Sequence, residues 1–157
     1  MGDKPRLTHV AADGSAKMVD VSAKPVVARM AVASGRIKLQ SATVDLITEG
    51  QNPKGDVIAV ARIAGIQAAK QTASLIPLCH TLPLSAVTID IRFVSGFAEV
   101  KCSAKTSAQT GVEMEALTGV SVALLTIYDM CKAVDKRMVI CDIALEHKAK
   151  TDSGAAT

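Results

Sequence analysis

The chain has 157 residues, of which 49% are hydrophobic and only 2% aromatic, with a net charge of +3. That length fits a single domain, 1–157, with a sizeable core, and the core has to be aliphatic. So mild a charge makes no case for nucleic acid, and Phe93, Phe97 and Tyr128 alone could stack on bases, so no RNA platform is expected.

The four cysteines, Cys79, Cys102, Cys131 and Cys141, show no CxxC spacing, so zinc and dithiol chemistry are not expected. The start, Met1-Gly-Asp-Lys-Pro5, lacks the apolar stretch of a secretory signal, and no uncharged apolar run reaches transmembrane length. Reduced thiols in a cytoplasmic protein, with no membrane partner, are the simplest expectation. A wide Ala-rich surface would gain from burial against further copies of the chain.

Residues 1–24 are polar and broken by Asp13-Gly14, and read as an N-terminal arm. Alternation then predicts a strand over Val26–Ala33. Ser41 is placed to cap a short helix ending near Gly50. A second helix is expected from Gly55 to Gln71, with Ala61, Ala64, Gly65 and Ala68 on one small-residue face and Arg62, Gln67 and Lys70 opposite. Val87, Ile89, Ile91 and Phe93 alternate with polar residues, Ser95-Gly96 makes a turn, and Val100, Cys102 and Ala104 alternate in turn: a β-hairpin. A long helix is expected from Val112 to Val134, opened by a capping box over Thr110–Glu113. A last strand, Met138–Leu145, precedes a polar tail, 149–157, read as mobile. Strand, helices, hairpin, helix, strand is the order of an α+β, ferredoxin-like split β-α-β fold, an antiparallel sheet with helices on one face.

Within the long helix, Thr118, Ser121, Asp129 and Lys132 share one polar arc, with Glu115 at its edge. Asp129 and Lys132 are three residues apart, so an acid and an ammonium can meet, and burial would move both pKa values. On pattern alone a solvated helix face with a weak ion pair is the simpler reading. Glu113 and Glu115 suit the positive end of the helix, and could equally accept N–H groups of a guanine-like base. His80, in Leu75-Ile-Pro-Leu-Cys-His80, is a candidate acid or base, while Cys79 lacks an evident partner as a nucleophile. Lys54, in Asn52-Pro-Lys-Gly-Asp56 before a helix, suits a phosphate, although this is no P-loop. Lys24 and Arg29 are further cations near the first strand.

The segments Met18-Val-Asp-Val21, Lys54-Gly-Asp56, Ala61–Lys70, Leu75–His80, Thr110–Thr118 and Tyr128–Val134, in that order, resemble the molybdenum cofactor biosynthesis protein C family, whose members are cyclic pyranopterin monophosphate synthases. The resemblance runs from about Leu7 to Lys148. It implies a homohexamer, a trimer of dimers with active sites at subunit interfaces. It implies a small-molecule substrate, 3',8-cyclo-7,8-dihydroguanosine 5'-triphosphate, converted to cyclic pyranopterin monophosphate and pyrophosphate. It assigns Lys132 as general acid/base oriented by Asp129, and Lys54 as the catalytic lysine on the phosphate side. It gives substrate contacts to Leu78, Cys79 and His80, with His80 and Arg29 at the triphosphate. Glu113, Met114 and Glu115 then line the pterin pocket, and Lys148 matches a family lysine near the last strand. No cofactor is expected to be required; a magnesium ion can accompany the triphosphate, though no dedicated ligand cluster is visible.

Two positions depart from the family pattern. Thr81 follows His80 where Pro is usual, and Asp152 stands where a Lys or Arg is usual. The second puts an anion near a phosphate site, with Lys150 two positions away. It motivates an alternative, a paralogue that binds a nucleotide or pterin without turnover; a purely structural oligomeric subunit is the other.

Overall fold

The computed structural model describes residues 13–151. Within them the order is β1 (Val27–Lys38), α1 (Ser41–Thr48), α2 (Val57–Lys70), α3 (Thr72–Leu75), β2 (Leu84–Val94), β3 (Phe97–Ala108), α4 (Glu113–Cys131) and β4 (Val139–Thr151). All neighbouring strands pair antiparallel, in the order β2-β3-β1-β4. With α2 and α4 packed on one face, this is the expected ferredoxin-like arrangement. The β2–β3 hairpin closes through Ser95 and Gly96, both at positive φ, the backbone that a tight two-residue turn demands.

The core is aliphatic, as the composition requires. Ala33, Ile37, Val100 and Cys102 of the sheet meet Ala116, Val120, Leu124 and Ile127 of α4. Small residues set the spacing of the helices. A Cβ on Gly65 of α2 would stand 2.8 Å from the Gly119 carbonyl oxygen of α4 and 2.9 Å from Ile89 Cδ1. The two helices therefore cross backbone against backbone, and α4 sinks onto the sheet. By length and composition α4 could cross a membrane, but more than half of its apolar window is packed inside the fold, as befits a core helix.

Four local expectations are corrected. β1 continues through Gly35 to Lys38, because Gly35 and Ile37 keep the inward alternation. At Gly35 the neighbours Val120, Leu124 and Ile143 fill the space a side chain would take. β4 runs on to Thr151, pairing with Ala28, so residues 149–151 belong to the sheet. Its outer half has exposed polar residues on both faces, so backbone pairing rather than hydrophobic alternation extends it. The capping box is not made: Val112 is the N-cap of α4, with no side-chain bond, and Glu113 turns to Lys148 instead. Ser41 is the first residue of α1 rather than its cap. Residues 1–12 of the arm, and 152–157 of the tail with Asp152, lie outside the described residues.

The start of α1 is held from a distance. Asp135, 1% exposed in the loop after α4, accepts hydrogen bonds from the Gln40 N–H (2.9 Å), Gln40 Nε2 (2.8 Å), Thr43 Oγ1 (3.1 Å) and the Arg137 N–H (2.9 Å). Burial alone would raise its pKa. The bonds from Gln40, Arg137 and Thr43 outweigh that and hold it down to about 2. The carboxylate also meets the positive end of α1, which has no acid of its own in its first turn.

Candidate active site

The candidate residues gather into three groups, strung along α4. The first lies at its C-terminal end. Asp129 is in the last turn and Lys132 is the C-cap. Lys132 Nζ lies 2.6 Å from Asp129 Oδ1. Lys54 Nζ, from the turn before α2, lies 3.1 Å from Asp129 Oδ2 and donates to the Asp129 carbonyl at 2.8 Å. Two ammonium groups thus share one carboxylate. Lys132 first, then Lys54, hold the Asp129 pKa below its ordinary value, and Asp129 in return raises that of Lys132. In the single chain these side chains are about half exposed, so mutual hydrogen bonding rather than burial moves them. The ion pair favours the charged form of Lys132.

The second group surrounds the N-terminal end of α4. A cavity of about 320 Å³ is lined by Leu78, Cys79, His80, Met114 and Glu115, with Val19, Val21 and Lys24 from the lead-in to β1. His80 Nε2 lies 2.8 Å from the Val19 carbonyl, which can only accept, so Nε2 carries a proton. Nδ1 is then the nitrogen left for a ligand. Glu115 is 4% exposed, and among the described residues no cation pairs with it. Its pKa is raised, mainly by burial and further by Glu113. Cys79 is also raised, by burial and then by Glu115, which keeps it a thiol and argues against a nucleophile.

The third group adjoins the second through Gly111. Arg29, Glu113, Lys148 and Lys150 line a cavity of about 330 Å³. Arg29 donates from Nε to the Ala108 carbonyl (3.0 Å) and from Nη2 to that of Gln109 (3.2 Å), which fixes its guanidinium beside the end of β3. Lys148 pairs with Glu113 at 3.1 Å. The two glutamates expected to act together thus point into different cavities. Glu115 enters the one lined by Met114, Cys79 and His80, and Glu113 enters a cationic one. Together the cavities can hold a ring with N–H donors on one side and an anion on the other.

The polar arc of α4 is not one solvated face. Glu115 and Thr118 are buried, Ser121 donates to the Leu117 carbonyl, and of the arc only Asp129 and Lys132 are exposed. Glu115 and Asp129 are 14 residues apart, which places them about 21 Å apart along the helix at about 1.5 Å per residue. One chain therefore does not bring Lys132 to the cavity. Val19 and Val21 had no role on sequence grounds; the match of Met18–Val21 to the family was the available signal. A further cavity, about 320 Å³, lies around Arg36, Lys101, Asp142 and Glu146. Those four charges pair as Arg36–Asp142 and Lys101–Glu146, so they are satisfied without a ligand.

Residues 18–151 match the MoaC family, a span that includes every candidate site residue. The chain is 53% identical over 151 residues to the cyclic pyranopterin monophosphate synthase of Parvibaculum lavamentivorans, covering 95% of this chain and 94% of that one. It is 55% identical over 148 residues to the enzyme of the same name from Novosphingobium aromaticivorans, covering 94% of each. It is 56% identical over 150 residues to the one from Chloroflexus aurantiacus, covering 94% of this chain and 92% of the relative. On that extent of similarity, the chain belongs to the MoaC family.

Proposed function

We propose that the chain is a cyclic pyranopterin monophosphate synthase, converting 3',8-cyclo-7,8-dihydroguanosine 5'-triphosphate to cyclic pyranopterin monophosphate and pyrophosphate. It is a lyase of molybdenum cofactor biosynthesis. The observation that carries the reading is near-full-length similarity to enzymes of that name, with all the candidate residues inside the matched span. The chemistry suits the geometry. Opening the five-membered ring and rebuilding it needs proton transfers, and Lys132, kept charged by Asp129, is the donor. Glu115, itself buried, accepts the N–H groups of the guanine-derived edge, where its shielding from solvent strengthens the contact. Arg29, Lys148 and His80 hold the triphosphate while a ribose-derived hydroxyl attacks the α-phosphate and pyrophosphate leaves. Lys54 stands on the phosphate side of Lys132. The reading uses no cofactor for the chemistry; a magnesium ion comes only with the triphosphate. It places the enzyme in the cytoplasm.

A complete site in this reading takes Lys54, Asp129 and Lys132 from one subunit and the cavity residues from another, within a hexamer built as a trimer of dimers. The separation along α4 supports this, as do the exposed apolar side chains of Val60 and Ile63 on α2, and Leu125 and Tyr128 on α4. The test is pyrophosphate release from the cyclised guanosine triphosphate. Lys132→Ala is expected to lose about 10²–10⁴-fold, the usual contribution of an acid–base residue. Mixing Lys132→Ala with Glu115→Gln subunits is expected to restore about a quarter of the activity, from random pairing across a two-subunit site. No release from folded wild type would overturn the function. Release with no recovery on mixing would overturn the shared site.

A further inference from the structure

Asn52 opens the turn that carries Lys54. Asn52 is 6% exposed, although it sits in a loop between two helices whose other residues, Gln51 and Pro53 to Asp56, are exposed. A polar side chain is buried there because each end of its carboxamide has a partner. Oδ1 accepts the Lys54 backbone N–H at 2.9 Å. Nδ2 donates to the Met130 carbonyl at 3.4 Å and reaches Cys131 Sγ at 3.7 Å. The Asn52 carbonyl in addition accepts the Gly55 N–H at 2.9 Å. Asn-Pro-Lys-Gly is the residue order a type I turn favours, with Asn first, Pro second and Gly fourth. Gly55, at φ +95, then leads the chain into the Asp56 cap of α2.

We infer that Asn52 is a positioning residue, whose carboxamide locks the Lys54 turn to the last turn of α4 and so sets the Lys54 ammonium against Asp129 and Lys132. A lysine side chain has four flexible methylenes, and its tip is placed only as well as its backbone is held. Here one amide grips that backbone and the helix end together. The carbonyl of Asp129 receives Lys54 Nζ and the carbonyl of Met130 receives Asn52 Nδ2, so adjacent orphan groups at the helix terminus are satisfied by the same turn. Losing the amide frees the turn from α4 and lets Lys54 move by an ångström or more. Asn52 bonds to neither Asp129's carboxylate nor Lys132 Nζ; the candidate site residue it holds directly is Lys54.

The inference rests on the synthase reading for its kinetic arm and not for its structural arm. Asn52→Ala removes both ends of the bridge. Asn52→Ser keeps an oxygen that can accept the Lys54 N–H but is too short for the Met130 carbonyl, and guards against a folding failure. In kinetics, each variant is expected to lose about 10–10²-fold in kcat, the usual cost of an ångström-scale misplacement, with KM changed much less. In a Lys54→Ala background the same Asn52 substitutions are expected to cost nothing more, a non-additivity that a merely structural residue would not show. Independently, Lys54 acylation by an amine-reactive ester is mapped by mass spectrometry, with exposed Lys38 as the internal standard. Lys54 is expected to react several-fold faster in Asn52→Ala than in wild type as its hydrogen bonds to Asp129 loosen. A multiplicative loss in the Lys54→Ala background would overturn the inference, and so would unchanged Lys54 reactivity in a folded Asn52→Ala protein. If wild type releases no pyrophosphate, the synthase reading fails while the acylation arm still decides this one.

Discussion

Replacing Asp135 by Asn should cost stability in a way whose size and pH dependence both follow from its four hydrogen bonds. The carboxylate accepts two donors on each oxygen. Asn has one acceptor oxygen, so whichever way its amide turns, one pair of donors meets an NH₂. The pKa gives the magnitude. A fall from the ordinary 3.8 to about 2 corresponds to about 2–3 kcal/mol at neutral pH, since each pKa unit is a tenfold change in equilibrium. That agrees with the cost of about 1–3 kcal/mol for leaving a buried polar group unpaired. The sign follows from a folded pKa below the unfolded one. The contribution is complete above about 3.8 and disappears as pH falls through that window toward 2. Urea unfolding of both proteins, at one protein concentration and a series of pH values, measures the difference directly. Asp135→Asn should be less stable by about 2–3 kcal/mol near pH 7, and the gap should shrink as the buffer is taken toward pH 2. A difference below about 0.5 kcal/mol at neutral pH, or one that does not change with acid, would refute the account.

Gly65→Ala should destabilise by about 1–3 kcal/mol or more in the same assay, because its Cβ would meet a backbone oxygen that cannot rotate away. An unchanged urea midpoint would mean that α2 and α4 can separate freely. Glu115 has a raised pKa from burial, so substrate affinity should rise as pH rises through that value and the carboxylate forms. In Glu115→Gln that limb should be absent, and a pH profile of KM identical to wild type would remove Glu115 from the base-reading role.

The hairpin and the small-residue face of α2 were legible because their signals are local. Val87 to Phe93 alternate across a half-buried strand, and Ala61, Gly65 and Ala68 repeat at helical spacing. The second half of β1 was hidden by Gly35, which reads as a strand breaker although here neighbouring side chains fill its space. The outer half of β4 was hidden because an exposed edge strand has no inward face to pattern. At the site, the residues were legible as a set but not their grouping. Nothing local shows that Glu113 turns to Lys148 while Glu115 enters the cavity, or that Val19 reaches His80 from 61 positions away. Asn52 escaped for the same reason: its partners on α4 lie 78 and 79 residues on.

Candidate site residues stand at both ends of α4, so the helix acts as a ruler between them. Adding one residue to its middle would lengthen it by only about 1.5 Å but turn everything beyond by about 100°. Asp129 would swing away from Lys54, and Val120, Leu124 and Ile127 would no longer all face the sheet. Adding about seven residues would recover the facing but carry Asp129 about 10 Å past its partner. A change of length in α4 is therefore worse than any single substitution along it, since no insertion restores phase and span together.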